Sequence, residues 1–247
     1  MVRVFEWHPL SGDVATFRLK IGPGEGFPDY IAGQNIQLSR SNETLLYSIV
    51  SAPFETKEWN FLEFFVNRDR ELVEGEEVTL ADSASGDFTL DRAADYANVV
   101  FVGTGTGIAP FVSMSRELGH KSKTSIRYTL IHASRNFEEL GYYKELSAAE
   151  AQRDFDFLYI PTVSRPSADD WNLHSLGKGR AGNLLRDLLN LPPKGEVVLP
   201  VSLQNKDLQK RLDPRCTIIL ACGSLASVSD IESVATEKRI PFVKEDW

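Results

Sequence analysis

Short apolar runs separated by turn residues fill the first 90 positions of the chain, and this pattern predicts strands. The predicted strands cover residues 2–7, 14–21, 35–38, 46–50, 61–66, 77–80 and 88–90. Gly, Pro and Ser separate them, as in Gly22-Pro23-Gly24 and Ser51-Ala52-Pro53. No convincing helical stretch is present here, so the pattern predicts a small antiparallel β-barrel or sandwich.

After a linker at 91–97, apolar runs of strand length alternate with stretches of helical period. The predicted strands are 99–102, 126–132, 157–163, 217–221 and 241–244, and the predicted helices are 108–118, 137–152, 181–190 and 227–238. Strictly alternating strands and helices are typical of an α/β domain with a parallel sheet covered on both faces. The chain is therefore predicted to form two domains, residues 1–93 and residues 94–247.

The charge distribution supports this division. Residues 1–93 hold 8 Lys and Arg against 16 Asp and Glu, a balance of −8, whereas residues 94–247 hold 19 of each. The net charge of −8 argues against a nucleic-acid partner. No apolar run approaches the ~20 residues that span a bilayer, and no signal-peptide pattern opens the chain, so we expect a cytoplasmic protein with no membrane partner.

A glycine-rich turn, Gly103-Thr104-Gly105-Thr106-Gly107, joins the strand at 99–102 to the helix at 108–118, with Pro110 in the first turn of that helix. Backbone N–H groups and the helix dipole make such a junction an anion site. The spacing is G-x-G-x-G and not the dinucleotide fingerprint G-x-G-x-x-G, so a purely structural turn is the alternative.

Cationic residues follow the next strands. Arg135 and Arg165 come just after two of them, and Lys178 and Arg180 lie in the loop Gly177–Arg180. Ligands of parallel sheets bind beyond the carboxyl ends of the strands, and guanidinium groups bind phosphate bidentately. The second strand is followed by Ala-Ser-Arg-Asn and not by an acid for ribose hydroxyls, which favours a 2′-phosphate. Solvated loop cations are the alternative.

Two further stretches are candidates for chemistry. Cys222-Gly223-Ser224 ends the last long strand, where a buried thiol packed as a small apolar group is the alternative. Tyr47-Ser48 could offer a ring and a hydroxyl to a flat ligand, or could belong to the core. The two cysteines, Cys216 and Cys222, lack metal-ligand spacing, and no metal or iron–sulfur site is expected.

Taken together, these stretches resemble the ferredoxin–NADP reductase family, and most closely its bacterial members. The segments that carry the resemblance are Tyr47–Val50 (flavin strand), Leu62–Val66, Gly103–Phe111 (nicotinamide-nucleotide loop), 131–142, 161–165 (2′-phosphate element), Ala221–Ser224 and the terminal Trp247. They occur in the family's order along essentially the whole chain.

The resemblance implies a β-barrel that binds FAD and an α/β domain that binds NADP(H). A hydride would pass between NADP(H) and FAD, with single electrons exchanged with ferredoxin or flavodoxin. The implied FAD contacts are Tyr47, Ser48, Ile49, Val50, Phe64, Phe65, Val66 and Trp247. The implied NADP contacts are Gly105, Thr106, Gly107, Pro110, Arg135, Ser164, Arg165, Arg180, Cys222, Gly223 and Ser224. Tyr47, Ser48, Cys222 and Trp247 would be the catalytic set, and we expect a monomer.

The chain departs from the family's pattern at three places. Leu45 stands where the family has an arginine before the Tyr-Ser pair, and the family's G-x-x-S/T loop is absent between Asn67 and Glu74. Leu225 and Ala226 follow the Cys-Gly-Ser segment where Pro and Met are frequent. The first two departures predict weaker FAD binding. They leave open a reductase of free flavin or of another acceptor, and a binding module without turnover.

Overall fold

The computed structural model describes residues 2–10, 13–22, 26–40, 43–67, 72, 74–121, 124–167, 176–203 and 207–246. Its contacts divide the chain into two compact units. The first contains Met1–Arg92 and Ala109–Lys121, and the second contains Ala93–Ile108 and Ser122–Trp247. Within the described ranges, no helix combines the length and the apolar character needed to cross a bilayer.

The first unit is built on an antiparallel sheet of six strands in the order β4-β3-β6-β1-β2-β5. The strands are β1 (Val2–Pro9), β2 (Val14–Lys20), β3 (Asn35–Arg40), β4 (Glu43–Ser48), β5 (Phe61–Asn67) and β6 (Glu77–Leu80). Their inward side chains form one core, with Phe17 and Phe64 stacked at 4.9 Å between ring centroids. The backbone N–H of Val50 donates to the carbonyl oxygen of Glu63 (2.9 Å), which joins the two edges of the sheet into a barrel-like form.

Two helices complete the first unit: α1 (Pro53–Trp59) and α2 (Ala109–Lys121). Helix α2 is tied to the turn before α1, because the Ser113 hydroxyl donates to the Ser51 carbonyl oxygen (2.8 Å). Arg116 of α2 also contacts Glu55 at 3.1 Å and Glu63 at 3.3 Å. Three segments far apart in sequence are therefore fixed to one another inside this unit.

The second unit contains a sheet of six strands in the order β10-β9-β8-β7-β11-β12, and every neighbouring pair is parallel. The strands are β7 (Asn98–Thr104), β8 (Arg127–Ser134), β9 (Phe157–Val163), β10 (Gly177–Lys178), β11 (Thr217–Gly223) and β12 (Phe242–Asp246). The helices are α3 (Tyr143–Gln152), α4 (Ala181–Leu188), α5 (Leu208–Arg211) and α6 (Leu225–Lys238). Strands β9 and β11 are buried along their whole length, as their unbroken apolar runs predict.

The predicted fold class is confirmed, but two predicted elements are wrong and one observed helix is not predicted. Residues 88–90 form no strand: a 3₁₀ turn begins at Leu90 (Leu90–Ala93), and Ser85 pairs with Asn35 instead. Helix α1 interrupts a region predicted to hold only strands. The stretch 137–152 is not one helix, since Tyr142 adopts a left-handed φ of 64° between a short 3₁₀ turn and α3.

Candidate functional site

The topology of the parallel sheet defines a ligand-binding edge. From β7 the chain adds β8, β9 and β10 on one side, and then crosses to add β11 and β12 on the other. The strand order therefore reverses between β7 and β11, and such a switch point opens a crevice at the carboxyl ends of the strands. The glycine-rich turn after β7 and the Cys222-Gly223 end of β11 lie on its two sides, with Gly103 paired to Cys222.

The glycines at this edge allow two backbone segments to approach closely. A Cβ on Gly107 would lie 2.3 Å from the carbonyl oxygen of Cys222, and a Cβ on Gly223 would lie 2.0 Å from Oγ1 of Thr104. Both positions are thus restricted to glycine by packing.

Residues Gly105–Ile108 form a 3₁₀ turn in which Gly105 and Thr106 remain partly exposed. Pro110 is buried in the first turn of α2.

Three arginines follow three neighbouring strands. Arg135 comes after β8, Arg165 after β9 and Arg180 after β10, and all three are exposed. The Arg165 N–H donates to the carbonyl oxygen of Arg135 (2.8 Å), and the Ser164 N–H donates to that of Ser134 (3.0 Å). These bonds hold the two loops side by side beyond the sheet. The arrangement can bind a multiply charged anion such as a phosphate monoester.

A buried carboxylate lies behind one of these arginines. Glu139 is 6% exposed and accepts from the backbone N–H of Arg135 (3.3 Å), from its Nε (3.2 Å) and from the Asn136 amide (3.1 Å). The nearby Lys178 contacts the exposed Glu196 at 2.7 Å. The sequence predicted the arginine but not the glutamate, because a four-residue spacing predicts a contact on a helix, whereas Arg135 lies in the bend before a 3₁₀ turn.

Cys222 is fully buried, and its thiol donates to Oε2 of Glu245 on β12 (3.6 Å). Burial, together with the negative charge of Glu245, raises the pKa of the Cys222 thiol well above its usual value. The thiol therefore stays protonated near neutral pH and is not a nucleophile. Gly223 is also buried, whereas Ser224 is exposed immediately before α6.

In the first unit, Tyr47 and Ser48 at the end of β4 are partly exposed. The Tyr47 ring packs edge-on against Phe64, with ring centroids 5.9 Å apart. Tyr47 therefore belongs to the edge of the core and is also partly exposed to a ligand. Leu45, two residues before Tyr47, is partly exposed and pairs with Leu38 of β3. Leu46 is 54% exposed.

The other predicted flavin contacts in this unit are buried side chains. They are Ile49, Val50, Phe64, Phe65 and Val66, none more than 4% exposed. The N–H groups of Ile49 and Val50 are already bonded to the carbonyl oxygens of Gln34 and Glu63. A ligand on this surface could touch Tyr47 and Ser48 directly, whereas the side chains of the other five residues are buried. Trp247 lies outside the described residues.

Sequence reasoning also missed Tyr30, whose hydroxyl donates to the Ser51 carbonyl oxygen (2.9 Å) and contacts Thr56 Oγ1 at 2.7 Å. Burial raises the pKa of Tyr30 to about 12, so it stays a neutral donor that fixes the turn after the Tyr-Ser strand. Within the described ranges, no group of three or more His, Cys, Asp and Glu side chains could hold a metal ion.

Residues 101–179 match the family described as the oxidoreductase NAD-binding domain. This segment runs from β7 to the loop before Arg180 and includes two of the three arginines.

Curated relatives extend the likeness beyond that segment. The chain is 28% identical to a ferredoxin–NADP reductase of Azotobacter vinelandii, over 60% of either chain. It is 25% identical to a phthalate dioxygenase reductase of Burkholderia cepacia, over 76% of this chain and 63% of the relative. A flavodoxin/ferredoxin–NADP reductase of Shigella flexneri is 26% identical over 65% of this chain and 57% of its own. The chain thus spans about three-fifths of the length of these relatives.

Solved structures share the fold. A ferredoxin NADP⁺ reductase of Neisseria gonorrhoeae, solved with bound FAD and NADP, superposes with a TM-score of 0.73 at 21% identity, over 99% of this chain and 97% of its own. The cytochrome P450 reductase GcoB of Amycolatopsis gives a TM-score of 0.72 at 20% identity, over 99% and 68% of the two chains. The two-part architecture of this chain is therefore one that known reductases use.

Proposed function

We propose that the chain is a member of the ferredoxin–NADP reductase family, as its motifs predict, and that it is an FAD-dependent oxidoreductase that uses NADP(H). Its redox partner is a one-electron carrier protein, ferredoxin or flavodoxin. The segment 1–93 holds FAD, and the segment 94–247 holds the nicotinamide nucleotide.

The observation that carries the proposal is the set of three arginines at neighbouring strand ends beside the switch point. Arg135, Arg165 and Arg180 supply the charge that a 2′-phosphate requires, with Ser164 as an added donor. The turn Gly105–Gly107 binds the diphosphate through its backbone and Thr106. Pro110 shapes the start of the following helix. Together these groups select NADPH over NADH.

The end of β11 forms the nicotinamide pocket in this proposal. Cys222 contributes a neutral thiol whose orientation is set by Glu245. Gly223 lets the backbone approach the ring closely, and the exposed Ser224 provides a hydroxyl at the pocket's edge. These residues orient the nucleotide and add no charge of their own.

FAD fits the first unit in part. A partly exposed ring and hydroxyl, Tyr47 and Ser48, suit the flat isoalloxazine, and Trp247 is proposed as a second ring against it. Leu45, by contrast, offers no charge to the FAD diphosphate. When bound, FAD supplies the redox chemistry by accepting a hydride from NADPH and releasing electrons singly. We propose that it binds, but less tightly than an arginine at position 45 would allow.

Nucleotide selectivity tests the proposal through Arg165→Ala. In protein reconstituted with FAD and assayed with ferricyanide, we expect KM for NADPH to rise about tenfold or more, since a charge-assisted contact is lost. The KM for NADH should change less than about twofold. The exposed Arg153→Ala, in the turn after α3, serves as the control. Absence of NADPH oxidation by the FAD-loaded wild type, with both ferricyanide and ferredoxin, would refute the function.

A second candidate function is favoured by the uncharged side chain of Leu45. A weak diphosphate site lets flavin exchange, as a reductase of free flavin requires. Steady-state rates with free FAD or FMN, compared with rates with ferredoxin, separate the two. Higher kcat/KM for the free flavin would assign the chain to the second function.

A further inference from the structure

The loop after β8 contains a buried acid whose role is not explained by packing alone. Glu139 ends the 3₁₀ turn Phe137–Glu139 and is 6% exposed, next to Leu140, which is anchored in a small apolar cluster with Val163 and Leu176. Burying a carboxylate is unfavourable unless donors surround it. The donors that Glu139 receives come from Arg135 and Asn136.

We propose that Glu139 is a positioning residue that presets Arg135 for the 2′-phosphate of the nucleotide and thereby contributes to the preference for NADPH. This inference rests on the proposed function, because it assumes that the arginine cluster binds that phosphate. Glu139 itself does not touch the ligand.

The contacts fix Arg135 from two sides. Its backbone N–H and its Nε both donate to the Glu139 carboxylate, and its carbonyl oxygen accepts from the N–H of Arg165. The Arg135 side chain nevertheless remains 54% exposed, so the guanidinium is held in place yet accessible to an anion. Arginine loses much rotamer freedom on binding, and an arginine already oriented loses less.

The loop that carries Arg135 is itself held in shape. The Ser134 hydroxyl donates to the carbonyl oxygen of Asn136 (2.5 Å), and the Asn136 amide donates to Oε1 of Glu139. Removing the carboxylate would therefore take one partner from the arginine side chain and one from the amide beside it. The rest of the loop would still be anchored by Leu140.

A different role for Glu139 is an acid that binds the ribose hydroxyls of NADH, as acids after the second strand of dinucleotide folds do. Its burial argues against this role. Both carboxylate oxygens accept from donors of the same loop, and the side chain is only 8% exposed. The carboxylate thus acts through Arg135 and does not compete with it for the nucleotide.

Calorimetric titration of the full-length chain with 2′,5′-ADP and with 5′-AMP tests the inference, because the two probes differ only by the 2′-phosphate. For Glu139→Ala we expect the Kd of 2′,5′-ADP to rise about tenfold and that of 5′-AMP to change less than about twofold. For Glu139→Gln, which keeps a carbonyl oxygen for the Arg135 donors, we expect a Kd for 2′,5′-ADP within about threefold of wild type.

Glu138→Ala is the matched control, since the neighbouring Glu138 is exposed. We expect it to leave both Kd values unchanged. An unchanged Kd of 2′,5′-ADP in Glu139→Ala, an equal loss for both probes, or a Glu139→Gln variant as weak as Glu139→Ala would overturn the inference. Equal affinity of the wild type for both probes would contradict the nucleotide preference itself.

Discussion

The buried imidazole of His132 makes the stability of the second unit depend on pH. It is fully buried in β8, its Nδ1 lies 2.9 Å from the Tyr159 hydroxyl, and its Nε2 has no hydrogen-bond partner within the described ranges. Burial lowers the pKa of His132 from 6.5 to about 3. The folded protein therefore keeps it neutral at pH values where the unfolded chain takes up a proton.

We expect the free energy of unfolding to fall as the pH drops below about 6.5, and the contribution of His132 to be fully lost only near pH 3. Between pH 7 and pH 5, protonation of His132 in the unfolded chain lowers the free energy of unfolding by about 2 kcal/mol. Urea unfolding of the wild type and of His132→Asn across this range measures it. The variant should lose that part of the pH slope, and the exposed His8→Asn should keep it. Identical slopes in the wild type and His132→Asn would contradict the assignment.

Among the elements, helix α2 is fixed to its unit by a buried ionic contact. The side chains of Arg116, Glu55 and Glu63 are 13%, 12% and 5% exposed. Glu63 is also contacted by Arg18 at 3.2 Å, so opposite charges compensate one another in this cluster. Breaking a buried ion pair from one side is strongly destabilising, because it leaves uncompensated charge.

Arg116→Met is therefore expected to lower the free energy of unfolding by about 3 kcal/mol. Denaturant titration measures the loss, and adding Glu63→Gln should restore part of it because one buried charge is removed. Arg92→Met is the matched control, since Arg92 is half-exposed in its pair with Asp87. A loss in Arg116→Met no larger than in Arg92→Met would show that the cluster adds nothing to stability.

Some of these elements can be predicted from the sequence, and others cannot. The parallel sheet is predictable because β7, β9 and β11 are buried on both faces and are continuous apolar runs. Helix α1 is not predictable in this way. Its seven residues make about two turns, too few to show a helical repeat of apolar positions, and the helix begins at Pro53, a residue typical of turns. The Arg135–Glu139 contact is local in sequence, but its four-residue spacing predicts a contact only on a helix, and these residues form a bend and a 3₁₀ turn. The Cys222–Glu245 contact has no local signal, because it depends on the pairing of β11 with β12.

For the molecule as a whole, the proposed FAD site has an uncharged residue, Leu45, where the diphosphate would meet an arginine in the family. Leu45→Arg restores the charge that the family has at this position, and we expect the Kd for FAD to fall about ten- to hundredfold. Leu46→Arg is the matched control, because it adds the same charge one residue away on the opposite face of β4. Fluorescence titration of the apoprotein with FAD measures both. No gain in Leu45→Arg, or an equal gain in Leu46→Arg, would mean that other residues hold the diphosphate.

Anaerobic titration of the FAD-loaded protein with NADPH and with NADH measures whether this chain couples NADPH to a bound flavin. We predict that NADPH bleaches the visible flavin absorbance in a stoichiometric titration, and that NADH does so only at much higher concentration. A bound flavin whose spectrum NADPH leaves unchanged would show that this chain does not transfer electrons from NADPH to FAD.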